Sequence, residues 1–282
     1  EKTLGFTGKQ DIEKFGIAEF NAACRESVLQ HVDEFSAMTE RMGYWVDMDQ
    51  AYWTMDATYV DSVWWGLKRI FDKGLLVQDH RVSPYCPRCG TGLSDHELAQ
   101  GYEDVVDASV YVRFPVESGP LPEQFPGVAF LVWTTTPWTL VSNTAAAVNA
   151  DVEYVVAKTG DGELLVIAAD LREAVLGEDS TVLHSVMGRD LEGTKYKRPF
   201  DWVEFPETDA PIHTVLLADF VTTTDGTGLV HEAPAFGAED LAVCRTYGLP
   251  VVNPVRPDGT FELDVPEVGG QFFKSADPEL VK

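Results

Sequence analysis

Two stretches of this sequence set side chains able to do chemistry at close spacing. The first, VWTTTPWTLVSN from Val132 to Asn143, places three hydroxyls in a row after an apolar run and ends them at a proline. In an extended strand Thr134 and Thr136 project to one face and Thr135 to the other. Two hydroxyls can then share a pocket while the third serves the scaffold. Pro137 removes a ladder donor, which suits a strand end where the chain turns away. Threonine is also simply a good strand former, a reading that needs no pocket. The second stretch, GTGLVHEAPAFGAEDL from Gly226 to Leu241, combines permissive glycines with His231 at a strand end and Asp240 just inside a helix start. The plainer reading again stands beside it. An acid there can do no more than complement the helix dipole, and a single histidine can be structural.

A third cluster is metal-like. Cys86 and Cys89, in YCPRCG, have the spacing of half a tetrahedral zinc site, whose closed form needs four ligands. Asp95 and His96 are nearby candidates, whereas Cys24 and Cys244 lack such spacing. A catalytic zinc of the deaminase or peptidase kind would need His-x-Glu or His-Glu-x-x-His to supply acid or base, and neither occurs. The spacing signals no Ser-His-Asp or Cys-His arrangement either.

The elements that must position these residues change character along the chain. From Ala18 to Met42, apolar residues at Phe20, Cys24, Val28, Val32, Phe35, Met38 and Met42 draw one stripe down a helix. A second helix is expected after Asp56 as its cap, with Gly74 to end it. Its adjacent Trp64 and Trp65 read as core and rim packing. Beyond Pro84 strands dominate, at 109–116, 128–136, 152–159, 163–170, 181–188 and 214–224, with hairpin turns at KTGDGELL and Asp225-Gly226. Short helices are expected at Asp170–Leu176 and Glu239–Tyr247, and the texture divides near residue 100.

Composition bounds the rest. The chain has 282 residues, is 45% apolar, and can build one large core or two modest ones. A net charge of -25 argues against broad attraction to a nucleic-acid backbone, so any such contact should be local. Four cysteines with one close pair fit a reducing compartment. No apolar run is long enough for a membrane span, nor do the first residues read as a signal peptide, so the expected location is cytoplasmic. The opening EKTLGFTGKQ, without a methionine, reads as part of a longer chain.

Together the two stretches resemble the signature segments of the editing domain inserted into class I aminoacyl-tRNA synthetases of the isoleucyl branch. The resemblance is carried by Thr134-Thr135-Thr136-Pro137-Trp138-Thr139-Leu140 with Asn143, and by Gly226-Thr227-Gly228 with His231, Gly237 and Asp240. It extends through GKQDIEKFGIAEFNAACRESV, WTMDATYVDSVWWGLKRIFDKGLL and PYCPRCGTGLSDHE. Val141 departs from it, standing where the family usually has proline. The ATP-handling His-x-Gly-His and Lys-Met-Ser-Lys-Ser segments are missing, so amino-acid activation is not expected of this chain.

The resemblance implies a mixed α/β fold: residues 1–82 as a helical segment of the parent, 83–100 as half of a Cys-x-x-Cys zinc knuckle, and 101–282 as a β-barrel-like editing domain with short helices. It implies hydrolysis of valine wrongly esterified to isoleucine tRNA, with the aminoacylated 3′ end and the remainder of the synthetase as partners, and no membrane. Thr136, Asp240 and Thr135 are the implied catalytic residues, with Asp240 holding the substrate ammonium. Thr134, Asn143, His231 and Trp138 are the implied substrate-binding residues; the first two line the pocket with Thr135 and Thr136, and His231 is a size gate or, alternatively, a general base. No cofactor is implied for editing. Zinc at Cys86 and Cys89 is expected only in the full-length enzyme, with the other ligands from beyond this stretch.

Overall fold

The computed structural model describes residues 2–282, and the chain divides into two units between Asp79 and His80. The first is helical: α1 (Lys9–Phe15), α2 (Ile17–Val28), α3 (Val32–Arg41) and α4 (Ala57–Asp72). The stripe expected to run from Ala18 to Met42 is interrupted between α2 and α3 by a turn at Leu29–His31. Asp56 occupies the N-cap position of α4 in extended conformation, but its side chain makes no capping bond. Gly74 follows the end of that helix with φ +70°, the left-handed conformation that glycine tolerates best. Trp64 and Trp65 are about two-thirds exposed rather than packed in a core, and Thr39 is the one buried residue among the described helical unit.

The second unit holds the strands. A small hairpin pairs β1 (Tyr85–Cys86) with β2 (Thr91–Gly92), and α5 (Asp95–Ala99) follows behind a reciprocal cap between Ser94 and Glu97. The large sheet contains β3 (Val110–Pro115), β4 (Ala129–Thr134), β5 (Ala145–Val148), β6 (Glu153–Lys158), β7 (Leu164–Ala168), β8 (Thr181–Met187), β9 (Val215–Leu217) and β10 (Val230–Glu232). Its order is β8-β6-β7-β4-β10-β5-β9, with β3 also on β4. No pair joins β8 to β9 among the described residues, so the barrel-like sheet is open. Helices α6 (Arg172–Leu176), α7 (Ala238–Thr246) and α8 (Phe273–Leu280) complete the unit. Among the described residues no helix is long and apolar enough to cross a membrane.

Strand β4 organises the site because it is shared three ways. Its whole length pairs antiparallel with β3, from Val110 opposite Thr134 to Pro115 opposite Ala129. On its other edge it pairs in parallel with β7 at Ala129 and Phe130, and with β10 where Trp133 meets Val230. A strand covered on both faces should be continuously apolar, and Phe130, Leu131 and Val132 are all buried. The forking edge brings the end of β4 beside His231 on β10.

Two expectations require correction. The Asp225-Gly226 turn does not close a hairpin, since β9 and β10 both flank β5 and do not pair with each other. The strand expected over 214–224 shortens to Val215–Leu217, and the alanine-rich β5 occupies the place between. Alanine has modest strand preference, so nothing in its sequence announced a central strand. Helix α8, with Pro278 inside it, was likewise unmarked.

Candidate active site

The end of β4, the end of β10 and the start of α7 surround one cavity of about 960 Å³. Thr134, Thr135, Thr136, Trp138, His231 and Asp240 all lie on its wall. The strand stops at Thr134, and Pro137 opens a 3-10 helix over Pro137–Ser142, which turns the chain so that Thr136 returns toward Thr134. Their hydroxyl oxygens lie 3.2 Å apart, and the Thr136 amide donates to Thr134 Oγ1 at 3.1 Å. Thr135 is exposed and Thr136 half-buried. Val141 is fully buried in that helix beside Phe261, Val265 and Val268.

The glycines of the second stretch have specific work. At Gly226, φ is +72° and an added Cβ would lie 2.8 Å from the Trp133 ring, so only glycine lets that indole reach the cavity wall. At Gly237, a Cβ would collide with the Asp240 carboxylate. Asp240 folds back there from the first turn of α7, and its Oδ2 accepts the Ala233 amide at 2.8 Å. Burial raises its pKa above the ordinary carboxylate value, opposed by the backbone donors and reinforced by Glu239. A cation arriving at this carboxylate would repay part of its lost hydration.

His231 is buried at 6% exposure and both ring nitrogens are engaged. Asn143 Nδ2 donates to Ala145 O at 2.9 Å and to His231 Nδ1 at 2.9 Å, while Tyr196 Oη donates to Asn143 Oδ1 at 2.8 Å. These bonds fix the amide orientation and leave Nδ1 as an acceptor. The imidazole proton therefore sits on Nε2, directed at Thr139 Oγ1 2.9 Å away, and Thr139 in turn donates to Thr136 O at 2.8 Å. Burial lowers the His231 pKa to about 3, so the ring is neutral at physiological pH. The His231–Thr139 contact has the partners of a base and nucleophile, but its proton runs the wrong way for that role.

Asn143 therefore differs from expectation. It is fully buried and stands behind His231 instead of lining the cavity, because its amide is consumed in holding the ring and the β5 backbone. Trp138 is a wall: its ring packs against Phe236 at 4.7 Å and Phe273 at 4.5 Å, and its amide donates to Asp277 Oδ1 at 3.0 Å. Sequence reasoning missed Thr139, Tyr196 and Trp133. Thr139 was findable, since a helical turn opening at Pro137 returns position 139 to the side of Thr136. Tyr196 carried no signal; it comes from a loop far along the chain and is itself fully buried.

Cys86 and Cys89 lie together in the β1–β2 knuckle, where the Cys89 amide donates to Cys86 Sγ at 3.4 Å. Hydrogen bonds from Cys89 lower the Cys86 pKa, and the same contact raises that of Cys89. Among the described residues no three Cys, His, Asp or Glu side chains gather, so Asp95 and His96 do not complete a zinc shell here. Two thiols alone do not fit a closed site.

Comparison with known proteins follows the same lines. Over 283 aligned residues the chain is 65% identical to an isoleucine–tRNA ligase of Streptomyces coelicolor, covering 100% of this chain and 26% of that one. An isoleucine–tRNA ligase of Thermus thermophilus is 47% identical over 282 residues, again covering 100% and 26%. The chain thus spans about a quarter of the length of these relatives. A solved structure, "The crystal structure of GlLeuRS-CP1", aligns with a TM-score of 0.46 and 15% identity over 61% of this chain and 93% of that one. Residues 1–275 match the family described as tRNA synthetases class I (I, L, M and V), and the chain belongs to that family.

Proposed function

We propose that the cavity hydrolyses the ester joining valine to the 3′-terminal adenosine of isoleucine tRNA. The observation that carries this reading is the convergence, on one wall, of the Thr134–Thr136 hydroxyls, a neutral His231 and Asp240 as the one acid among the described residues. An aminoacyl ester is already activated, so the site needs only to orient it, admit a water and stabilise developing charge. The water oxygen bonds to the acyl carbon, the carbon–oxygen bond to ribose breaks, and the ribose hydroxyl leaves with a proton. Valine and intact tRNA are the products.

Each residue then has a part. Asp240 binds the α-ammonium through a charge-assisted bond that fixes where the carbonyl lies. Thr136 stands nearest the scissile bond, with Thr134 and Thr135 holding the adenosine, the ester or the water. His231 and Thr139 wall the side-chain pocket. A neutral ring with both nitrogens occupied suits a size gate far better than a general base. The need for such a gate is physical: one methylene separates isoleucine from valine and is worth only about 1 to 3 kcal/mol, and this pair is the standing example of that limit.

The partners on this reading are the aminoacylated 3′ end and the rest of a longer synthetase, in the cytoplasm. Residues 1–82 act as part of that body, 101–282 as the editing domain, and the knuckle between them supplies Cys86 and Cys89 as two ligands of a zinc site completed elsewhere in the longer chain. The alternative is an acceptor-end binding or structural module without independent hydrolysis, and the charge of -25 speaks for it by limiting the contact with tRNA that turnover would need. Deacylation of valyl- and isoleucyl-tRNA by this chain and by Asp240→Ala separates the two. The expected result is hydrolysis of the valyl ester alone, reduced at least a hundredfold by the substitution, about 2.7 kcal/mol of transition-state stabilisation. Binding without turnover by a folded chain would leave the binding module.

A further inference from the structure

The cavity does not end at the threonines. Its wall continues past Ser83 and Tyr85 of the knuckle to a turn at Arg256–Gly259. The Arg256 amide donates to Thr260 O at 2.7 Å and the Gly259 amide to Arg256 O at 2.8 Å, closing that turn. Gly259, at φ +79°, packs where a Cβ would meet the Phe272 ring and Pro87. Tyr85 Oη donates to Pro257 O at 3.0 Å, so the knuckle clamps the turn from the other side. The backbone that carries Arg256 is thus held at three points.

Among the described residues Arg256 is the one Lys or Arg on the cavity wall, in a chain with 46 acids and 21 bases. Arg256 is half-buried, and its guanidinium makes no hydrogen bond or close ion pair among the described residues, although its charge helps hold the nearby Asp258 carboxyl below its usual value. The neighbouring acid, Asp258, is already engaged: its Oδ1 accepts from the Thr260 hydroxyl at 2.6 Å and the Thr260 amide at 3.0 Å. A planar guanidinium with five free donors matches the paired oxygens of a phosphate. A volume of about 960 Å³ also suits a nucleotide better than an amino acid alone.

We infer that Arg256 is the anchor of a phosphate subsite in this cavity, taking the 5′-phosphoryl group of a bound adenosine. This rests on the proposed aminoacyl-adenosine substrate, of which the 5′-phosphoryl is the remaining anionic group. Asp240 and Arg256 then divide the cavity, one holding the ammonium of the aminoacyl end and the other the phosphate of the nucleotide end. Two sources carry the same chemistry: the terminal phosphodiester of a tRNA, and the phosphoryl of an aminoacyl adenylate.

The test is calorimetric titration of the full 282-residue chain with adenosine, adenosine 5′-monophosphate and the dinucleotide cytidylyl-adenosine. Wild-type chain should prefer a phosphorylated ligand over adenosine by about tenfold, in line with a charged hydrogen bond, and that preference should weaken with salt. In Arg256→Gln the preference should collapse toward unity, while Arg256→Lys keeps part of it. A gain confined to the monophosphate assigns the subsite to an adenylate, and one shared by the dinucleotide assigns it to the tRNA end. Equal or undetectable binding of all three ligands, or an undiminished preference in Arg256→Gln, overturns the subsite. Failure of valyl-tRNA hydrolysis with the Arg256-dependent preference intact would instead remove the hydrolytic reading and leave the subsite.

Discussion

The helical unit and the β-rich unit contain similar apolar material and treat it in opposite ways. In α2 to α4 the apolar stripes are drawn clearly, yet Phe35, Met38, Trp64, Trp65 and Phe71 are all exposed. In the sheet, Phe114, Phe130, Val132, Val156 and Ile167 have no exposed surface at all. Periodicity therefore reports which face an element would bury, whereas burial depends on a second layer. The sheet finds its second layer within its own unit, and the cavity is cut into that buried part.

The sharpest way to break this contrast is truncation in the two regions. Phe130→Ala should destabilise the β-rich unit by about 3 to 5 kcal/mol, through lost transfer energy and a cavity in rigid surroundings. Trp64→Ala in α4 should shift its own unit by no more than about 0.5 kcal/mol. Urea unfolding followed by circular dichroism and by tryptophan fluorescence reads both, and comparable losses at the two positions would erase the distinction.

Acid should separate the units next. His231 has its pKa lowered to about 3 and His213 to about 4, both chiefly by burial. Below pH 6.5 the unfolded chain binds these protons and the folded chain does not, so stability falls as pH drops from 6.5 toward 3 or 4. At pH 5 the buried His231 ring costs about 2 kcal/mol, and the partly exposed His213, screened by solvent, costs less. The helical unit buries no histidine: its one, His31, is exposed and lies 2.8 Å from Glu34. Equal acid sensitivity of the two units in pH-dependent melts would contradict the assignment.

A smaller effect of opposite sign belongs to Glu232. Its side chain is fully buried on β10 and neither carboxyl oxygen has a partner among the described residues. Burial first, then Asp240 and Glu239 on α7, push its pKa well above the usual carboxylate value. The folded chain therefore holds a proton that the unfolded chain releases above about pH 4.5, and stability is lost as pH rises. Glu232→Gln should stabilise the β-rich unit by about 1 to 3 kcal/mol at pH 8 and much less at pH 5. A pH-independent change would mean that the carboxyl is ionised in the fold.

The same contrast explains what the sequence made legible. Strands β3, β4, β6, β7 and β8 were readable because β-branched and aromatic residues bounded by turns mark them. The Thr-Thr-Thr-Pro run and the Gly-Thr-Gly-x-Val-His run marked both walls of the cavity. The forked pairing of β4 with β7 and β10 was not readable, because register between distant strands leaves no local trace. Asn143 went to the wrong place for the same reason: its partners Tyr196 and His231 lie far along the chain, and only their meeting turns a polar side chain away from the cavity.

The central claim is that the neutral, doubly bonded ring of His231 is a wall and not a base. Deacylation of valyl- and isoleucyl-tRNA for isoleucine by the wild-type chain and by His231→Ala tests it directly. The account predicts continued hydrolysis of the valyl ester and new hydrolysis of the isoleucyl ester, so that discrimination falls by about tenfold or more. Loss of hydrolysis on both esters, in a variant that retains its fold, would contradict it.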